Sequence, residues 1–228
     1  MLQPGIARGG PMERYCVFCN IVAGKEPATV VYEDDAVMVF ENILGWTRVM
    51  LLAVPREHRT QTELWENLGS VGRIAVEMGR RHAPEGFRLL SNFGALGMQS
   101  QSHGHMHILN GTEPDVEVRG GAARSIVDAV RESQEEVLRT DHAVFFNAYP
   151  LFRVYPLTVL CLRPEGEPTQ EEFWSDLGAL GADVAHVGWA SSQQGFRLLS
   201  NFPGPQRLPG GEKGHLHLLG GTFLGHYA

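Results

Sequence analysis

"GFRLLSNF" spans Gly86–Phe93 and recurs letter for letter at Gly195–Phe202, 109 residues later. Eight identical residues are very unlikely by chance, and the likeness extends outward. "ELWENLGSVG" (Glu63–Gly72) resembles "EFWSDLGALG" (Glu172–Gly181), and "DAVMVFENILGWTRVMLLAVP" (Asp35–Pro55) resembles "HAVFFNAYPLFRVYPLTVLCLRP" (His142–Pro164). "HGHMHILNGT" (His103–Thr112) resembles "KGHLHLLGGT" (Lys213–Thr222). A unit of about a hundred residues is therefore written twice, each copy a normal domain size. The division that follows is a flexible tail over 1–14, a first copy over 15–112, a Gly-rich polar linker over 113–124 and a second copy over 125–228.

Within each copy the pattern reads strand, strand, helix, strand, strand. "TVVYE" and "AVMVF" are short β-branched or apolar runs, and "TRVMLLAV" is an apolar run expected to be buried on both faces. Thr62–His82 has helical spacing, with Leu64, Leu68, Val71, Ala75 and Met78 on one side. "FRLLSN" and "HMHIL" read as the last two strands. After the linker, Ser125–Arg139 is expected to form a helix capped by Ser125. This order predicts an α+β fold with a mainly antiparallel sheet.

The 228 residues are 43% hydrophobic and 20% charged, an ordinary globular composition. A formal charge of −7 with no block of Lys or Arg argues against a broad nucleic-acid surface but not against a small anionic ligand. No apolar stretch reaches the roughly 18 residues of a membrane span. The first residues lack the apolar core of a secretory signal, and Met12 is an alternative start. Three cysteines make no disulfide framework, so a cytoplasmic location is expected.

His103, His105 and His107 stand at every second position. On a strand they would project from one face, with Gly104, Met106 and Ile108 on the other. A neutral imidazole can attack phosphorus and a neighbouring one can stabilise the charge that develops. Converging imidazoles can also hold a metal, and a row of surface histidines is the bland alternative. The preceding "SNFGALGMQSQS" (Ser91–Ser102) offers Asn92, Gln99, Ser100 and glycines that let backbone N–H groups approach an anion; otherwise it is a polar turn.

These residues resemble the histidine triad (HIT) superfamily, whose signature is His-x-His-x-His-x-x. Tyr15–Asn42, "VPREHR" (Val54–Arg59), "FRLLSNFG" and "MQS" resemble its other segments, so the likeness covers about residues 15–112. Gly104 departs from the usual apolar residue. The resemblance implies a nucleotidyl hydrolase working on nucleoside 5′-phosphate derivatives, such as a dinucleoside polyphosphate or an AMP phosphoramidate, through a covalent nucleotidyl-histidine. It makes His105 the nucleophile, His107 a phosphate contact that stabilises the transition state, and Ser100 and Gln99 ligands of phosphate or leaving group. Asn92 would bind phosphate or ribose. Asn42 stands where many members have a ribose-binding Asp, and an amide is a weaker acceptor than a carboxylate. Alternatives are a nucleotidyltransferase using a phosphate or sugar-phosphate acceptor, a non-catalytic nucleotide-binding protein, and a module whose histidines serve only metal.

"CVFC" (Cys16–Cys19) alone could be a redox pair or two buried apolar residues. A zinc site needs four ligands, and His58 and His103 complete the set used by zinc-bearing members of the family. Zn²⁺ on Cys16, Cys19, His58 and His103 would be structural. The second copy keeps Asn201, His215 and His217 but has Lys213 for the first histidine. It has no CxxC counterpart, no histidine in "RPEGEP" (Arg163–Pro168), and Gly210 near the Ser100 position. It is expected to be a degenerate structural copy, or else a second site that keeps His215. The two copies are expected to pair as an intramolecular pseudo-dimer with one continuous sheet, able to exist as a monomer.

Overall fold

The computed structural model describes residues 15–111, 116–119, 122–152, 155–204 and 212–225. The expected tail over 1–14, Gly210 and parts of the linker lie outside the described residues. The chain opens with α1 (Val17–Val22), whose N-cap is Cys16: its sulfur accepts the Cys19 N–H. The strands β1 (Val30–Glu33), β2 (Val37–Glu41) and β3 (Met50–Pro55) follow, and every residue of β3 is buried.

The helix expected over Thr62–His82 is two helices, α2 (Gln61–Glu66) and α3 (Gly69–His82). Asn67 leaves helical geometry (φ −136°, ψ 50°) and Gly69 takes φ 37°, so the "NLG" corner breaks the run. Thr60 and Glu63 form a reciprocal capping box that starts α2. Then come β4 (Gly86–Gly94) and β5 (Met106–Asn110). The linker contains a small hairpin, β6 (Val116–Arg119) with β7 (Ala122–Ser125), which the sequence did not reveal.

Ser125 caps α4 (Ile126–Ser133) through its hydroxyl, but the helix stops six residues short of the expected Arg139. Gln134 is extended (φ −115°, ψ 155°) and Glu136–Arg139 forms β8, paired with β9 (Val144–Asn147). Val137 and Leu138 stay exposed and never join the buried face of Ile126, Val127, Ala129 and Val130. The chain continues through α5 (Tyr149–Phe152), β10 (Leu157–Leu162), α6 (Gln170–Ser175), α7 (Gly178–Ser191), β11 (Gly195–Pro203) and β12 (Leu216–Gly220). A "DLG" corner separates α6 from α7 as "NLG" separates α2 from α3, with Asp176 at φ −138° and Gly178 at φ 41°.

Among the described residues ten strands form one antiparallel sheet, in the order β1-β2-β3-β5-β4-β11-β12-β10-β9-β8. At its centre β4 pairs with β11, so the repeated octapeptide pairs with its own copy and Leu90 faces Leu199. Phe87 stacks on Phe202 at 4.5 Å and Phe93 on Phe196 at 4.3 Å between ring centroids. Such contacts contribute about 0.5–1.5 kcal/mol each beyond burial. Alternation along the strands gives the sheet two apolar faces. One buries Val37, Leu51, Phe87, Leu89, Met106, Ile108, Phe145, Leu198 and Leu218 under α2, α3, α6 and α7 in a single core that runs through both halves. The opposite face carries α1 over Phe40 and Leu52, α4 over Phe146 and Leu160, and Leu90, Leu199 and Leu224 between them. The fold is α+β with a large antiparallel sheet, as expected. Among the described residues no helix is long and apolar enough to cross a membrane.

Candidate functional site

Phe18 of α1 packs on both His103, at 6.0 Å between ring centroids, and His105, at 5.3 Å. Strand β5 begins at Met106, and the chain before it is bent toward α2. The Gly104 N–H donates to the Arg59 carbonyl at 2.6 Å, and a Cβ at Gly104 would lie 2.6 Å from the Thr60 carbonyl oxygen. This close approach to the start of α2 explains the glycine that departs from the family pattern. His105 and His107 remain neighbours, with ring centroids 5.0 Å apart at 69°. His103 also packs against His58, 4.9 Å away between rings.

His105 is held by buried amide and hydroxyl groups. The Gln61 side chain accepts the His105 N–H at 2.9 Å and donates to the His105 carbonyl at 3.0 Å. The Ser91 hydroxyl donates to the same carbonyl at 3.2 Å. Nδ1 of His105 lies 2.9 Å from the His103 carbonyl oxygen. A carbonyl only accepts, so Nδ1 carries the proton and Nε2 keeps its lone pair. Burial holds the His105 pKa below the usual histidine value. His107 is held well below it, first by burial and then by His105 and the guanidinium of Arg197. Both rings are neutral near pH 7. The second half repeats the clamp: Gln170 brackets His215 at 2.8 and 3.0 Å, Ser200 donates to its carbonyl at 2.7 Å, and its Nδ1 lies 2.8 Å from the Lys213 carbonyl. The sequence analysis missed Gln61, although "TQ" at Thr60–Gln61 and Thr169–Gln170 repeats at the offset of the octapeptide.

Both histidines open on a cavity of about 660 Å³. Its apolar wall is Phe18, Ile21, Phe40, Ile43, Leu44 and Leu52; its polar side includes Asn42, Ser100 and Gln101. The wall contributed by α1 was not foreseen, because a six-residue helix shows too little periodicity. Of the expected ligand residues Asn42, Ser100 and His107 line the cavity, whereas Gln99 and Asn92 do not. The Gln99 side chain closes its own loop, accepting the Gly94 N–H at 3.0 Å and donating to the Gln101 carbonyl at 2.9 Å, and Gln101 faces the cavity in its place. Asn42 Oδ1 accepts the Leu44 N–H at 3.0 Å. Asn92 is buried at the sheet centre, where its Oδ1 accepts from Arg197 at 2.8 Å. The loop rests on the second half. Gly97 passes so close to the Phe196 and Phe93 carbonyl oxygens that a Cβ would collide with both.

Cys16, Cys19, His58 and His103 come together, with their ligand atoms all within 4.8 Å of one another. Cys19 Sγ lies 3.1 Å from His58 Nδ1 and 3.4 Å from His103 Nδ1, and Cys16 Sγ lies 3.6 Å from His103 Nδ1. A tetrahedral zinc with bonds of 2.0–2.3 Å has ligand atoms about 3.3–3.8 Å apart, and these three separations are close to that spacing. His103 Nε2 donates to the Pro55 carbonyl at 2.9 Å, which turns the Nδ1 lone pair to the thiols. Burial pushes the Cys19 thiol up to about 11 and the His103 ring down to about 4, leaving the imidazole neutral for a metal.

The corresponding place in the second half has neither cysteine nor histidine, as expected, and other residues fill it. Ser125 caps α4 as Cys16 caps α1, and Asp128 stands three residues on as Cys19 does. Lys213 Nζ, at the His103 position, lies 2.5 Å from Asp128 and 2.8 Å from Glu167, whose place in the loop is that of His58. An ion-pair cluster stands where the first half gathers two thiols and two imidazoles.

The sequence profile of the HIT domain matches residues 23–113. The "14 kDa zinc-binding protein" of Brassica juncea is 31% identical over 105 residues, covering 42% of this chain and 93% of that protein. "Adenylylsulfatase HINT1" of Arabidopsis thaliana is 30% identical over 111 residues, covering 45% of this chain and 76% of that protein. Over both halves the fold is like that of a GALT-like protein from Arabidopsis thaliana, with a TM-score of 0.61, 14% identity, and coverage of 92% of this chain and 83% of that one. With a neutral pair of histidines behind a HIT-type signature and relatives matched over most of their length, the chain belongs to the HIT family.

Proposed function

We propose that this chain is a nucleotidyl hydrolase acting on nucleoside 5′-phosphate derivatives. The observation that carries the reading is the fixed tautomer of His105 at the cavity: Nδ1–H is committed to the His103 carbonyl, and the Nε2 lone pair is left for phosphorus. The apolar wall of Phe18, Ile21, Phe40 and Leu52 suits a base, and Asn42 suits the ribose. His105 Nε2 forms a bond to the α-phosphorus as the bond to the leaving group breaks, and the leaving group departs with that electron pair. Water then attacks the nucleotidyl-histidine and releases the nucleoside monophosphate. His107 and Ser100 face the phosphate oxygens and stabilise charge there. The Arabidopsis relative's name, adenylylsulfatase, favours mixed anhydrides and phosphoramidates of AMP as substrates.

Cys16, Cys19, His58 and His103 would hold Zn²⁺, and four protein ligands leave no open position, so the ion would be structural. The zinc-binding relative supports this assignment. These ligands anchor α1, whose other side is the cavity wall. The two halves are read as copies paired into a pseudo-dimer within one chain. The support is the facing of Leu90 with Leu199, a strand order that is alike from either edge, and the repeated Gln clamp. The second copy is read as structural, because the buried Ala148 follows β9 where Asn42 follows β2.

The test is AMP release from an AMP phosphoramidate and from diadenosine tetraphosphate. Release lost in His105→Ala and retained in His215→Ala supports the reading. Release only with an added phosphate acceptor would make the chain a transferase, and AMP binding without turnover would make it a binding protein.

A further inference from the structure

Arg197 belongs to the second half, yet its Nε reaches into the first. It lies on β11 directly across from Asn92 on β4 and is fully buried. Its Nε donates to Asn92 Oδ1 at 2.8 Å, and its Nη2 donates to the Leu224 carbonyl at 3.0 Å. Leu224 is itself buried and its N–H donates to Leu96, so the C-terminal segment braces both the arginine and the loop ahead of Ser100.

The sheet order places β4 between β11 and β5. With the carboxamide oxygen drawn toward β11, the NH2 group on the other side of the same planar amide is turned toward β5. Asn92 lies two residues beyond Leu90, the partner of His107, so it shares the face that carries His107. Its Nδ2 is buried and makes no hydrogen bond among the described residues. A buried amide donor left unmatched is unusual in a folded protein and points to a ligand acceptor.

The mirror-related arginine supplies the comparison. Arg88 Nε donates to Asn201 Oδ1 at 2.7 Å, in the half whose metal-ligand positions are occupied by Ser125, Asp128, Glu167 and Lys213. The same cross-strand bond is therefore made twice at one interface, and the Arg197–Asn92 one lies on the sheet face that carries His107, a residue of the cavity lining.

We propose that Arg197 is a positioning residue for the first-half site: by holding the Asn92 oxygen it aims the Asn92 amide NH2 at the phosphate bound beside His107. This rests on the reading of the cavity as a nucleotide site. It gives the second half a part in the chemistry of the first, and it accounts for "GFRLLSNF" standing unchanged in a half without the metal ligands.

The test compares Arg197→Met with Arg88→Met, read by the Asn92 side-chain amide NMR signal (identified by its loss in Asn92→Ala) and by AMP release. Arg197→Met is expected to shift the Asn92 signal and to lower kcat about 10–100-fold with KM changed less than about threefold. Arg88→Met is expected to leave both readouts as in the parent. In the Asn92→Ala background Arg197→Met is expected to cost less than about twofold further, because the arginine acts through the amide. An unmoved Asn92 signal in Arg197→Met would overturn the proposal, as would an equal loss of kcat in Arg88→Met. If Arg197→Met melts before assay, Arg197→Lys, which keeps one donor and the charge, replaces it under the same criteria. If the parent releases no AMP, the hydrolase reading fails while the amide signal still decides the role of Arg197.

Discussion

Replacing Gln61 by Leu removes the clamp on His105 with little change of volume. Gln61 is buried and gives two hydrogen bonds to the backbone of the candidate nucleophile, at 2.9 and 3.0 Å. After the change the His105 carbonyl keeps the Ser91 hydroxyl at 3.2 Å, but the His105 N–H has lost its acceptor. One orphaned buried donor costs about 1–3 kcal/mol. For a chain of this size that lowers Tm by about 2–4 °C per kcal/mol, so a fall of about 2–12 °C is expected. The freed peptide also shifts the imidazole, and a displacement on the order of 1 Å lowers kcat/KM about 100-fold. Gln170→Leu is the control, because Gln170 brackets His215 at 2.8 and 3.0 Å in the same way. Circular-dichroism melts should show similar losses in the two variants, while AMP release should collapse only in Gln61→Leu. Equal activity losses in both would refute the assignment of the clamp to the first-half site, and an unchanged Tm in Gln61→Leu would refute the energetic reasoning.

Atomic emission of the purified chain should give about one zinc per molecule, Cys19→Ala should remove it, and chelation should lower Tm in the parent only. Gly97→Ala should destabilise the loop that carries Ser100, because a Cβ collides with two backbone carbonyls that cannot turn aside; a lower Tm and weaker AMP binding in calorimetry would show it. Burial depresses the pKa of His107 in the folded chain, so this group's stabilisation is present above the unfolded value of about 6.5 and is lost as pH falls toward the folded one. Urea titrations at pH 7.5 and 5.5 should therefore show a smaller pH-dependent loss in His107→Gln than in the parent.

The sequence carried the larger pattern through features that need no partner to be read. The duplicated octapeptide, the apolar β3 run and the paired amphipathic segments each announce themselves locally, and all lie in the single sheet and its helical layer. The Cys/His set was legible because "CVFC" is a local signal and the family resemblance supplied the two histidines, and the fold brings the four together. What escaped depends on contacts between distant segments. Gly104 is tied to the Arg59 carbonyl, and nothing in "HGHMH" announces that bond. The break at Asn67 is written in "NLG", but the strong apolar spacing on either side conceals it. Gln99 is spent on its own loop, and Arg197 reaches Asn92 only because two strands far apart in the chain become neighbours.

The central pairing of β4 with β11 is made inside one polypeptide. A tethered pair meets at an effective concentration of roughly millimolar order, so its contact does not loosen when the protein is diluted. Two separate copies forming such a sheet would also share every inherited change, since one codon writes both sides. A histidine exchanged for lysine would then remove a metal ligand from each. Here Lys213 stands on one side and His103 on the other, each with its own neighbours. Within one chain the two halves are free to differ: the first gathers thiols and imidazoles, while the second holds Lys213 with two carboxylates.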